Sequence, residues 1–211
     1  MPYVRSVNVG GPQEVTWLGR PVVTGIFKRP VEGRVRVRRH NLEGDGQADL
    51  EKHGGEYKAV YAYAREDLDF WAGELGRDLS DSAMGENLTT VGLDVTGAVI
   101  GERWRIGSAL LEVVQPRRPC FKLGLRLGDP DFPQRFGPAV RPGAYLRVLE
   151  EGELGAGDEI VVEHRPAHGV TVGLVAYAYF HDKSLAPRVL AAPELAPGAR
   201  QTWERFRRHA G

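Results

Sequence analysis

The sequence predicts a mainly β protein, a barrel-like fold with short helices and a small helical appendage at the C-terminus. Three observations carry this prediction. Short β-branched runs recur along the first four fifths of the chain, with glycine-rich turns between them. From residue 170 the apolar spacing becomes that of helices, and prolines separate the helical segments. We therefore assign residues 1–169 to a β-barrel domain and residues 170–211 to a three-helix extension.

The strand predictions rest on alternation and on β-branched residues bounded by turn-forming residues. Val35 and Val37 alternate strictly with arginines, so this strand has one apolar face and one cationic face. The apolar run 109–114 leads directly to the only cysteine. The predicted strands cover residues 4–9, 21–27, 33–39, 59–63, 85–90, 99–101, 104–107, 109–114, 143–149 and 157–164.

The helix predictions rest on apolar residues at helical spacing. Leu68, Trp71 and Leu75 form such a series, and Gly76 ends it. Thr171 is a plausible N-cap for a helix that carries Val172, Val175, Ala176 and Tyr179. The other predicted helices are a short one at 123–127 and two near the C-terminus at 184–190 and 198–209.

Composition limits the classes of function. A chain of 211 residues with 42% hydrophobic residues buries a core without disulfides or metals. The formal net charge is zero, which argues against a nucleic-acid binder. The N-terminus lacks an apolar signal-peptide core, and no run approaches the ~18 apolar residues of a membrane span. We expect a cytoplasmic protein, and a single cysteine agrees with a reducing compartment.

The segment 115–122 draws attention because it holds the only cysteine, Cys120, between two arginines and a lysine. Nearby positive charge favours a thiolate, which is a better nucleophile and metal ligand than a thiol. The flanking prolines restrict the backbone and give the sulfur a stiff support. The alternative is an inert core cysteine, but Arg117, Arg118 and Lys122 are unusual neighbours for one.

A second informative segment, 42–58, is polar and rich in glycine. Gly54 and Gly55 permit close approach of a ligand to backbone N–H groups. Asp49, His53 and Lys58 add a carboxylate, an imidazole and an amine. The segment lacks the Gly-Lys-Ser/Thr ending of a P-loop and the glycine spacing of a dinucleotide-binding fold. It is either a ligand-binding loop or an ordinary surface turn.

These two segments occur with further motifs in a characteristic order. The motifs are 43–49, 53–55, 58–60, 85–88 and 115–122. With all of them present, the chain resembles the MOSC family, named after the C-terminal domain of molybdenum cofactor sulfurases, and in particular its stand-alone bacterial YiiM-like members. The resemblance covers most of the chain and ends in the cysteine signature. It implies a β-barrel-rich domain with a C-terminal three-helix extension and the cysteine in a cleft.

The resemblance also implies chemistry. It implies a molybdenum cofactor (molybdopterin), or transfer of sulfur to a metal, and for YiiM-like members reduction of N-hydroxylated compounds such as hydroxylaminopurine. The resemblance further implies pyridoxal phosphate binding, as a property of the family as a whole. The implied partners are a small-molecule substrate and an electron-donor protein, without nucleic acid or membrane.

The site assignments join the resemblance to the residue chemistry. Molybdenum is soft enough to accept a thiolate, so Cys120 is assigned as the metal ligand and reactive residue. His53 and Asp49 are assigned to proton transfer during N–O cleavage. The residues assigned to cofactor binding are cations and turn residues, namely Arg36, Arg38, Lys58, Arg117, Lys122, Gly54, Gly55 and Asn87.

Other functions remain open at this point. A sulfur carrier would hold a persulfide on Cys120, and a non-enzymatic module would only bind the cofactor. A zinc site from Cys120, His53 and His40 lacks paired Cys/His spacing. A cysteine hydrolase using Cys120, His53 and Asp49 would need a helix N-terminus or an oxyanion hole beside the sulfur.

Overall fold

The structure is a computed structural model that describes residues 1–48 and 55–209. Thirteen strands occur within these residues. They are β1 (Tyr3–Val9), β2 (Gln13–Trp17), β3 (Arg20–Thr24), β4 (Arg29–Pro30), β5 (Arg34–Arg38), β6 (Asn41–Leu42), β7 (Val60–Ala64), β8 (Leu88–Val91), β9 (Arg103–Ile106), β10 (Ala109–Pro116), β11 (Ala144–Glu150), β12 (Gly152–Gly155) and β13 (Ile160–His164).

Six α-helices within the same described ranges connect or follow these strands. They are α1 (Arg65–Leu75), α2 (Phe121–Leu127), α3 (Phe132–Phe136), α4 (Val172–Phe180), α5 (Ala186–Val189) and α6 (Pro197–His209). Short 3₁₀ turns occur at Glu56–Lys58 and Lys183–Leu185. Among the described residues the longest helix has 13 residues, and no helix combines the length and apolar character that a bilayer crossing requires.

The main sheet curls toward a closed barrel, as the sequence predicts. Its strand order is β13-β9-β10-β11-β7-β8-β1-β4, antiparallel except for the parallel β7–β8 pair. The segment just before β13, at one end of the sheet, reaches β1, next to the strand at the other end, where Tyr3 bridges Glu159. Two backbone hydrogen bonds reinforce this seam, from Val4 N to Asp158 O at 2.9 Å and from Ile160 N to Pro2 O at 2.9 Å. Closure removes most of the exposed edge that an open sheet would present.

Two buried clusters support the barrel. The larger contains the barrel interior and extends to the C-terminal helices, whose Val175, Val189 and Trp203 belong to it. Thr171 caps α4 as predicted, and its hydroxyl accepts from Leu174 N at 3.0 Å. The smaller cluster is aromatic and packs α1 against α2 and α3 through Trp71, Phe132 and Phe136. The C-terminal helices therefore share the barrel's core.

Some elements differ from the prediction. The predicted strand at 21–27 ends at Thr24 and pairs with β2 across a tight turn, where Leu18 and Gly19 both have positive φ. The predicted strand at 99–101 is wrong, since Val99 forms only an isolated bridge and Gly101 turns the chain at φ +88°. In β5 the alternation is confirmed: Val35 and Val37 are buried while the arginines are exposed.

The connection before β8 is held by a buried carboxylate. Glu86 is fully buried, and its Oε1 accepts hydrogen bonds from Ser82 N at 2.7 Å and Thr89 Oγ1 at 2.9 Å, while its Oε2 accepts from Met84 N at 3.0 Å. Burial raises the pKa of Glu86, and these three donors oppose that shift. Ser82 and Gly85 have positive φ, and a Cβ on Gly85 would lie 2.6 Å from Ile26 Cγ1. The hydrogen bonds to Glu86 and the close contact at Gly85 therefore hold the backbone of this connection in a single conformation.

We predict that Glu86→Gln lowers the free energy of unfolding by about 1–3 kcal/mol, because an amide nitrogen replaces one acceptor oxygen and leaves a buried N–H unsatisfied. Urea titration of both proteins measures the change. Glu14, which is exposed in β2, gives the control variant Glu14→Gln with unchanged stability. Equal midpoints for wild type and Glu86→Gln would contradict this account of the connection.

Candidate active site

A cleft at one end of the barrel contains Cys120. Its empty volume is about 580 Å³, part of it open to solvent. The walls come from the connection after β3, the glycine-rich segment, the connection before β8, strands β7 and β11, and the start of α2. The described residues that line it are Thr24, Gly25, Ile26, Lys28, Asp45, Gly46, Gln47, Ala48, Lys58, Tyr61, Gly85, Asn87, Arg117, Cys120, Lys122 and Tyr145.

Cys120 lies where the sequence predicts, on a stiff extended segment after a strand. β10 ends at Pro116, and the chain reaches Cys120 in an extended conformation with φ −136° and ψ 168°. Cys120 is the N-cap residue of α2, and its carbonyl accepts from Leu123 N at 2.9 Å. The thiol is half-buried. This placement gives the sulfur a fixed position with access from the cleft.

Arg117 forms a cationic wall of the cleft. Only 7% of the residue is exposed, and its guanidinium lies 4.9 Å from the centre of the Tyr61 ring. Its Nη1 donates to the carbonyl of Met84, in the connection held by Glu86. Among the described residues no carboxylate forms an ion pair with it. Burial lowers the pKa of Arg117, but Tyr61, Tyr145 and Cys120 raise it, and the net shift is upward. The buried charge therefore favours an anion beside it, such as the Cys120 thiolate.

Lys28 is a second buried cation in the lining of the cleft, and it forms an ion pair. Lys28 Nζ donates to Asp45 Oδ1, and both side chains are almost inaccessible to solvent. Asp45 Oδ1 also accepts from Gly10 N at 3.0 Å, and Asp45 Oδ2 accepts from Asn87 Nδ2 at 2.9 Å. Burial lowers the pKa of Lys28, and the pairing with Asp45 opposes that shift. The pair anchors the glycine-rich segment to the cleft wall.

Asn87, assigned from sequence to cofactor binding, lines the cleft, but its side-chain amide forms hydrogen bonds with other groups of the protein. Its Oδ1 accepts from Tyr61 N at 3.0 Å, and its Nδ2 donates to Asn8 O at 3.2 Å as well as to Asp45. An amide can make about four hydrogen bonds, and three are already formed. The geometry therefore indicates that Asn87 holds Asp45 and β7 in place.

Two tyrosines from neighbouring strands complete the cleft beside the cysteine. Tyr145 in β11 pairs in register with Tyr61 in β7, and their ring centres are 5.1 Å apart. Tyr61 donates its hydroxyl to Pro142 O at 2.7 Å. Burial raises the pKa of Tyr145, with Arg117 opposing the shift and Cys120 adding to it. The Tyr145 hydroxyl therefore stays protonated at neutral pH and can act as a hydrogen-bond donor in the cleft.

The structure brings some of the predicted residues together and separates others. Lys58, Arg117 and Lys122 line the cleft with Cys120. Arg36 and Arg38 do not line it, and placing them at the cofactor site needs correction. Their side chains project from the exposed face of β5, where Arg36 pairs with Glu153 at 3.3 Å. Alternation alone predicts an exposed cationic face, and that simpler interpretation fits the geometry.

The glycine-rich segment is only partly described. Gly55 has φ +87° and lines an adjoining groove with Lys58, Gln115 and the start of α6. Asp49, His53 and Gly54 lie outside the described residues, so their assignments stay predictions. His40 is exposed and does not line the cleft. Among residues 1–48 and 55–209, no three His, Cys, Asp or Glu side chains cluster as a metal site would require.

Sequence reasoning missed Lys28, Tyr61 and Tyr145 as cleft residues. Lys28 follows an apolar run and looks like the polar end of a strand. Tyr61 and Tyr145 look like ordinary strand aromatics, and only the β7–β11 register brings Tyr145 beside Tyr61, the ring under Arg117. Asp45 in the glycine-rich motif was the one sequence signal that could have indicated Lys28, because an aspartate that becomes buried needs a cationic or hydrogen-bonding partner.

The cleft and fold can now be compared with known proteins. A family profile described as MOSC domain matches residues 49–161, which include Lys58, Asn87, Arg117 and Cys120. YflK of Bacillus subtilis is 41% identical over 179 residues, covering 85% of this chain and 81% of that protein. A protein of Gibberella moniliformis named Reductase is 35% identical over 153 residues, which are 71% of this chain and 27% of that protein.

A solved structure has the same architecture over nearly the whole chain. The crystal structure of YiiM from Geobacillus stearothermophilus superposes with a TM-score of 0.82 at 30% identity, covering 98% of this chain and 99% of that one. This match includes the barrel and the three C-terminal helices. The fold, the cysteine cleft and these matches lead to one conclusion: the chain belongs to the MOSC domain family, as a YiiM-like member.

Proposed function

We propose that this protein binds a molybdenum cofactor through the Cys120 thiolate and reduces N-hydroxylated compounds to amines. The observation that carries the proposal is a half-buried thiol in the lining of the same cleft as a buried guanidinium, which has no carboxylate partner among the described residues. Membership in the MOSC family supports the cofactor class, and the fungal relative named Reductase supports reductive chemistry.

The donor set of the cleft fits such a cofactor. The cofactor presents a soft metal and an anionic phosphate, and the cleft offers one soft sulfur among several cations. Arg117 and Lys28 are buried in the walls, and Lys58 and Lys122 lie in the same lining. The one carboxylate among the described lining residues, Asp45, is paired with Lys28. The cleft therefore suits an anionic group that brings a metal with ligands of its own.

In this proposal each residue has a stated part. Cys120 would hold the metal, and the positive charge of Arg117 would favour the ionised form of its sulfur. Lys58 and Lys122 bind the phosphate. When bound, the cofactor supplies two-electron redox chemistry. The overall reaction breaks the N–O bond of R–NHOH, consumes two electrons and two protons, and yields R–NH₂ and water. The Tyr145 hydroxyl lines the same cleft and would donate a hydrogen bond to the departing oxygen. Proton transfer by His53 and Asp49 remains part of the proposal.

We predict that Cys120→Ser reduces bound molybdenum to background, because a hydroxyl is a much poorer ligand for a soft metal than a thiolate. The measurement is molybdenum content per chain after expression in a cofactor-producing host, together with reduction of an N-hydroxylated base. Serine preserves the size of the side chain, and thermal unfolding of both proteins controls for folding. Equal molybdenum in wild type and Cys120→Ser would remove Cys120 as the ligand.

The same preparations separate this proposal from a sulfur carrier. A carrier would show cyanide-releasable sulfur on wild-type protein, absent from Cys120→Ser, with neither molybdenum nor turnover. That combination would contradict the reductase. Cofactor retention without turnover of any N-hydroxylated compound would instead indicate a binding module.

A further inference from the structure

The surface beside Cys120 exposes an aromatic ring and an arginine. Phe121, next to the cysteine, exposes 52% of its surface although it begins a helix whose later residues are buried. Arg118 is exposed two residues before the cysteine, and Lys122 lies two residues after it at the cleft. Lys122 is assigned to the cofactor phosphate, and we call the two exposed residues, Arg118 and Phe121, the cysteine rim.

Arg118, the cation of this rim, has no ion-pair partner among residues 1–48 and 55–209. Many other exposed arginines do have one, such as Arg34 with Asp158 at 3.0 Å and Arg5 with Asp81 at 3.0 Å. Arg118 contacts instead the Tyr179 ring, with its guanidinium carbon 5.4 Å from the ring centre, which orients the charge without neutralising it. The rim therefore presents positive charge and an exposed aromatic ring immediately beside the reactive sulfur.

Exposed aromatic residues and arginines are enriched in protein interfaces, and short-lived redox complexes use small interfaces steered by charge. We propose that the cysteine rim is the docking surface for an acidic, electron-donating protein. This rests on the proposed function, because reduction of R–NHOH consumes two electrons that must come from a donor. In each turnover the donor is oxidised by two electrons while the N–O bond breaks and solvent protons complete the amine and water.

The test compares two electron sources on cofactor-loaded protein. One is reduced flavodoxin, an acidic flavin protein used as the probe, and the other is reduced methyl viologen, which needs no docking surface. The variants are Arg118→Glu and Phe121→Ala. The matched control is Arg208→Glu, an exposed arginine near the end of α6, away from the cleft lining.

We predict that Arg118→Glu lowers kcat/KM for reduced flavodoxin about tenfold at low ionic strength, because charge reversal opposes the encounter. This loss shrinks between about 0.01 M and about 1 M salt, where charges are screened beyond a few ångströms. Phe121→Ala lowers kcat/KM at both salt concentrations. Viologen-driven turnover stays within about twofold for both variants, since neither residue is assigned to the reaction itself, and Arg208→Glu matches wild type throughout.

Flavodoxin-driven rates that match wild type in both variants would overturn the docking proposal, as would viologen-driven turnover in wild type without any flavodoxin-driven turnover. Absence of wild-type turnover with viologen would count against the proposed function instead. In that case calorimetric titration of wild type and Arg118→Glu with oxidised flavodoxin still decides the docking surface. Weaker binding by Arg118→Glu at low salt supports it, and equal or absent binding contradicts it.

Discussion

The buried guanidinium of Arg117 is the charge around which the cleft is arranged. A charge removed from water is costly unless other groups compensate it. Here the compensation comes from the Tyr61 ring, the Met84 carbonyl and the neighbouring Cys120 sulfur, rather than from a carboxylate among the described residues. Such partial compensation leaves the guanidinium available to stabilise a negative charge in the cleft. A thiolate or an anionic ligand supplies that charge, so binding and sulfur reactivity have the same electrostatic origin.

The rest of the cleft keeps this charge in place. Glu86 fixes the connection that presents the Met84 carbonyl, and Asn87 in the same connection ties Tyr61 to Asp45. Asp45 in turn holds Lys28 and the glycine-rich segment. These polar groups belong to different strands and connections, so the barrel must close before they can meet. The cleft is thus a product of the complete fold, and its buried hydrogen bonds pre-organise it for a ligand.

Much of the fold and part of the cleft could be predicted from the sequence, and the wrong or missing residue assignments have identifiable causes. Alternation and turn residues predict the barrel, and the prolines and cations around Cys120 predict a reactive cysteine on a stiff support. Arg36 and Arg38 were misplaced because alternation shows that they share a face without showing what that face meets. Tyr61 and Tyr145 were missed because their proximity depends on strand register. Lys28 was missed because its partner, Asp45, is 17 residues away and belongs to another connection.

The central claim is that Arg117 stabilises the Cys120 thiolate, and alkylation of the single cysteine tests it directly. The measurement is the rate of reaction with iodoacetamide from pH 5 to pH 10 for wild type, Arg117→Lys and Arg117→Met, because only the thiolate reacts. We predict that the midpoint of the pH profile rises in Arg117→Met by about one pH unit or more and rises less in Arg117→Lys, which keeps the charge. Identical midpoints in all three folded proteins would contradict the account.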